Sequence, residues 1–306
     1  MKTISGKNIN PNQALNESIL SSTKSGQSKV IADFCDNYLR RANYSMNPDM
    51  SVNLHRTDDY EFFDVPEIPV WIKESNCNLR IANCGIAHFY LPEKGKKILI
   101  EDCSKLTKID VKTNSDIEEL VIKNCGSIDL SGLSKNLNVK KVKILKCGIS
   151  TLKGLENVSK DLQVKNCAKL RNFDIELKNN PVVTIQNCPL RSFTHPLNSI
   201  DATITTLQKS TDLDIKLGNV EDLRIENSNY IKSLKFSGNP IDTLVIEDCD
   251  ILEKIELDID CRTSASFITL PKITEYKFPK RLSGVCVFEE VLTVPENVVC
   301  KKKLVR

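Results

Sequence analysis

The chain has 306 residues, 40% of them hydrophobic and 27% charged, a balance of globular rather than disordered protein. A net charge of +3 and an aromatic content of 6% are too modest for a nucleic-acid or anionic-membrane ligand, or for a base-stacking platform. No apolar run reaches the 18 or so residues that span a bilayer, so membrane insertion is not expected.

In chain order, residues 1–25 are rich in Asn, Ser, Lys and Gly and read as a flexible segment. They lack the apolar core of a secretory signal, so the expected setting is the cytoplasm, or a host cell reached by a non-classical route. Residues 26–76 read as an N-terminal cap. In SKVIADFCDNYLRRA, apolar residues at Val30, Ile31, Phe34, Cys35, Tyr38 and Leu39 mark one face of a helix, with Ser28 as N-cap. The segment EFFDVPEIPVWIKE is kept extended by Pro66 and Pro69 and is expected to pack on the first turn of the region that begins at residue 77.

Residues 77–306 repeat. LRIANC, ILIEDC, LVIKNC, VKILKC, LQVKNC, VTIQNC, TTLQKS, LRIENS and LVIEDC end at Cys84, Cys103, Cys125, Cys147, Cys167, Cys188, Ser210, Ser228 and Cys249. The spacings are 19, 22, 22, 20, 21, 22, 18 and 21 residues, the signature of a solenoid. Within LVI the side chains alternate, so Leu120 and Ile122 point inward and Val121 outward. A second apolar leg follows each ladder residue, as in CSKLTKIDV, CAKLRNFDI and CDILEKIEL. Two fainter turns place Leu270 and Glu290 in the ladder slot, the last as a cap with a polar outer face. The total is about eleven turns, and the tail KKKLVR reads as a frayed basic end.

The ladder cysteines invite metal or disulfide chemistry. Serine in the same slot, together with the missing secretory signal, makes them packing residues instead: small, inward-pointing and weak donors. The preceding position is usually Asn or Asp, residue types that tolerate unusual dihedrals. Lys146 departs from this, which places the position at the solvent.

The pattern LxxLxIxxCxxL resembles that of the leucine-rich-repeat family, in which Cys is an accepted alternative to Asn. The added CxxLxxIxV leg resembles the BspA-like (Treponema-type) subclass, although the AF segment before the cysteine is missing. The resemblance implies short parallel strands on two faces, a helical N-terminal cap and a protein ligand. A right-handed parallel β-helix is the alternative fold.

No metal or triad spacing involves His55, His88 or His195, there is no phosphate-binding glycine loop, and no cofactor or metal is expected. The functional question therefore moves to the outward face. Its central positions are Arg80, Leu99, Val121, Lys143, Gln163, Thr184, Thr206, Arg224 and Val245; one step on are Ala82, Glu101, Lys123, Leu145, Lys165, Gln186, Gln208, Glu226 and Glu247. Leu99, Val121 and Leu145 would form an apolar patch rimmed by Lys123, Lys143 and Lys165, with Arg80 and Gln163 beside it. The expectation is a non-enzymatic binding module for a protein, a host-interaction or effector protein among the compatible types, and a monomer. The alternatives are a structural subunit of a viral or cell-surface assembly, and a β-helix carbohydrate-active enzyme. The last would need two carboxylates within about 5–10 Å on one sheet.

Overall fold

The computed structural model describes residues 44–46, 52–54 and 59–63, and most of 78–305, with a few gaps of one or two residues and the segment 206–211 left out. The helix expected over residues 28–42, the Pro66–Trp71 segment and Cys84 lie outside the described residues.

From Asp59 onward the chain winds as a parallel β-solenoid of about ten turns. One ladder carries the long strands. Asp59–Phe63 pairs with Asn78–Ala82, that strand with Lys94–Glu101, and the ladder continues to Val285–Val291 and Lys302–Val305. The second leg of each turn forms shorter parallel strands. His88–Leu91 pairs with Lys108–Val111, and towards the C-terminal end Ser233–Gly238, Lys254–Asp258 and Glu275–Lys277 stack in order. Asp212–Glu226 is long enough to serve both ladders. The only helical element among the described residues is the 3-10 turn Ser131–Leu133. Strands on both legs are the β-rich repeat solenoid expected from the sequence, and the β-helix alternative shares this architecture. An antiparallel pair, Tyr44–Met46 with Val52–Leu54, precedes the solenoid in sequence.

The core is a set of columns running along the solenoid. One contains Ile81, Ile100, Ile122, Ile144, Val164, Ile185, Ile204, Ile225, Ile246, Phe267 and Phe288, all buried. A single turn contributes too few apolar groups to bury itself, and stacking converts them into one continuous interior. Aromatic rings continue the same logic: Phe173 stacks on Phe193 at 5.0 Å and Phe267 on Phe288 at 5.1 Å.

Each corner is made the same way. Asn83, Asp102, Asn124, Lys146, Asn166, Asn187, Asn227, Asp248, Thr269 and Glu290 have φ between 49° and 57°. The left-handed turn swings the following residue inward. The N–H of the corner residue donates to the next turn, as in Asn124 to the Leu145 carbonyl at 2.9 Å and Asn166 to the Gln186 carbonyl at 2.9 Å. The ladder carbonyl then accepts from the residue three positions on, for example Leu106 N–H to Cys103 O and Leu252 N–H to Cys249 O. This closed turn is the physical content of CxxL.

Three expectations change. The final corner is at Glu290, so Val291 and not Glu290 takes the ladder slot, in register with Leu270. The strand Leu197–Thr205 pairs Ile204 with Ile185 and with Ile225, so the inward apolar column passes through Ile204, three residues earlier than TTLQKS suggests. Ser210, with the rest of 206–211, lies outside the described residues. Finally, Lys302–Val305 is not frayed: it is the last strand of the ladder.

Candidate functional site

The ladder residues are internal. Cys103, Cys125, Cys147, Cys167, Cys188, Ser228 and Cys249 are buried. Each donates to the carbonyl two residues before it: Cys103 Sγ to Glu101 O at 3.3 Å, Cys125 Sγ to Lys123 O at 3.2 Å, Ser228 Oγ to Glu226 O at 3.0 Å. Serine reproduces the cysteine contact, so in the described turns from Cys103 to Cys249 the slot takes a small donor rather than a residue chosen for sulfur chemistry, and Leu270 and Val291 fill it in the turns that follow. Burial pushes the Cys249 thiol up to about 12, far from the range of a nucleophilic thiolate. Among the described residues no three His, Cys, Asp or Glu side chains converge on a point where a metal could sit.

The outward face of the long ladder is ordered by register. Arg80, Leu99, Val121, Lys143, Gln163 and Thr184 follow one another across neighbouring turns; Ala82, Glu101, Lys123, Leu145, Lys165 and Gln186 form the adjacent column. The next member of the first column is Thr203, not Thr206, and Thr205 stands where Gln208 was expected. Arg224 and Val245 then follow, and Glu226 is beside Glu247.

The apolar patch is smaller than the sequence suggests. Leu99 and Leu145 are half-buried, but Val121 is only 7% exposed. Ladder neighbours about 4.8 Å apart cover one another's flanks, and longer stems lie over shorter side chains. Val121 has Leu99 on one side and Lys143 on the other.

Charges brace the same surface. Glu101 accepts from Arg80 Nε at 2.8 Å and Nη2 at 2.5 Å, and from Lys123 Nζ at 3.2 Å. Its burial acts to raise the carboxyl, but the Arg80 and Lys123 bonds prevail and hold it below the usual glutamate value of 4.5. Glu119 takes Lys143 at 2.7 Å and Lys97 at 3.6 Å. The Lys143 bond lowers its carboxyl. Gln163 donates to Asp161 at 2.9 Å, and Lys165 is half-buried. The sequence reading placed Glu101 on the outward face, but it marked neither Glu101 nor Glu119 as a hub. Their signal was positional: a carboxylate one repeat away from a cation in the same or the next column.

Glu226 and Glu247 are lateral neighbours in this column. Glu247 is held by Arg224 at 2.5 Å. His88 lies 3.9 Å from Asp110 and against the Tyr90 ring on the short-strand side, away from this face. No helix among the described residues is long and apolar enough to cross a membrane. No protein-family model matches the chain, and no curated protein and no solved structure shows significant similarity to it.

Proposed function

We propose that this chain is a non-enzymatic binding scaffold of the leucine-rich-repeat type, which presents the outward face of its long ladder to a protein partner. The observation that carries the reading is the register. It gathers Leu99 and Leu145, half-buried rather than sealed, into a field of Arg80, Lys123, Lys143, Gln163 and Lys165. A small apolar centre with a charged rim is the anatomy of a protein-binding patch, the centre giving affinity and the rim selectivity. Because Arg80, Lys123 and Lys143 are already pinned by Glu101 and Glu119, the rim loses little side-chain freedom on binding. The test is retention of a partner from native-host extract by immobilised chain. Leu99→Asp with Leu145→Asp should abolish retention of specific partners, while the short-strand control Lys235→Glu with Glu256→Lys keeps it. Equal retention by both double variants would defeat the reading.

A second reading rests on the Glu226–Glu247 pair, since adjacent carboxylates are what a glycosidase needs. The Arg224 clamp on Glu247 favours a structural ion pair instead. Hydrolysis of a polysaccharide panel that is lost in Glu226→Gln would reinstate the enzyme.

A further inference from the structure

The three most exposed large apolar side chains among the described residues are Val305, Val299 and Leu292, at 61, 59 and 58%, and all lie in the last turn. Val305 is the telling one. It continues the core column of Ile246, Phe267 and Phe288, each of which is sealed by the strand that follows it. Among the described residues no strand follows Lys302–Val305. A polar cap was expected here, and only half of one is present. Lys303 sits in register with buried Cys286, places its ammonium 5.6 Å from the centre of the Phe288 ring and donates to the Pro295 carbonyl at 2.5 Å. The Val305 column has no such lid.

At the other end, Asp59–Phe63 is the first strand of the same ladder, and no described strand pairs with its outer edge. The Phe62 column can be followed pair by pair through every turn, and it arrives at Val305. Asp59 therefore shares a register position with Lys302, and Tyr60 with Lys303. The two ends also differ in charge: the first strand lies within DDYEFFD and the last within KKKLVR.

We propose that the ends recognise each other between molecules, the Asp59–Phe63 strand of a second copy adding in parallel to the open edge of Lys302–Val305. Continuing the register sets Phe62 of the next copy on Val305 and Asp59 beside Lys302, so the apolar column and the charge pattern both run on across the junction. Two last strands meeting each other would oppose lysine to lysine, which disfavours a symmetric dimer. A head-to-tail contact that continues the ladder stacks each copy on the end of the last, with no rotation that brings the ends together, so the product is an open rod and not a ring. This assembly is independent of the outward face and would replace the monomer expected from the sequence.

Sedimentation velocity and negative-stain microscopy of the full chain over a wide concentration range test this, with circular dichroism confirming that every variant is folded. The expected result is self-association that grows with concentration into rods. It should weaken about tenfold or more in Val305→Asp and in Lys302→Asp, and recover in the double variant Asp59→Lys with Lys302→Asp. A wild-type chain that stays monomeric throughout, as it would if its own N-terminal residues covered the first strand, overturns the proposal. So does assembly that Val305→Asp leaves intact, or a double variant that fails to recover.

Discussion

A left-handed backbone at a non-glycine residue costs roughly 1–2 kcal/mol unless the side chain offsets it, which Asn and Asp do best. Seven of the ten such corners here carry Asn or Asp, and their side chains link across turns, as in Asn124 to Asp102 at 2.6 Å and Asn187 to Asn166 at 2.6 Å. Lys146 makes the same corner between Asn124 and Asn166 without that help. Lys146→Asn is therefore expected to stabilise the fold by about 0.5–1 kcal/mol, and Asn166→Val to destabilise it by about 1–2 kcal/mol, both measurable by denaturant unfolding. In the ladder slot, Cys167→Ser should cost about 1 kcal/mol or less, because a hydroxyl can make the thiol's bond to the Lys165 carbonyl. Cys167→Leu, squeezed between Cys147 and Cys188, should cost about 1–3 kcal/mol. The corner and the slot were legible as NC and DC dipeptides at a fixed period. Lysine at the corner was legible at Lys146; that the corner is left-handed, and that it also admits threonine and glutamate, was not, since the backbone tolerates those residues wherever the next turn supplies an acceptor.

Individual strands are held by what lies one repeat away, so the unit of stability is the cross-turn pair. On the long ladder these pairs converge on Glu101 and Glu119; on the short strands charges alternate, with Lys254 to Glu275 at 2.6 Å and Lys277 to Glu256 at 2.6 Å. The Glu101 and Glu119 carboxyls are lowered in the folded state. Their contribution is thus complete above the ordinary glutamate value of 4.5 and disappears as pH falls through that value and then through the folded one. Melting temperature should hold steady near neutrality and drop below about pH 4.5. Glu101→Gln should lose about 1–3 kcal/mol at neutral pH and show a shallower acid slope. Strand identity was readable from two-residue alternation, but register was not always so. TTLQKS offered a serine where a small residue was wanted, whereas the pairing of Ile204 with Ile185 and Ile225 shows that continuity of the apolar column outweighs the choice of corner residue.

For the molecule as a whole, period and alternation sufficed to read a solenoid with one ordered outward face, because both come from local chemistry repeated many times. The state of that face did not emerge so directly. Val121 reads as outward and apolar, yet it is buried by neighbours that are distant in sequence and adjacent only through stacking. The last strand was missed for a related reason: KKKLVR has little strand character of its own and is recruited by the edge of Val285–Val291. What this architecture offers is a long registered surface on which side chains from successive turns act together. The most direct test of its use is site-specific photo-crosslinking in the native host. A crosslinking amino acid at position 99, 145 or 163 on the long ladder should trap a common partner protein, whereas one at position 235 or 258 on the short strands should not. Adducts confined to positions 235 and 258, or none at 99, 145 and 163, would contradict the account.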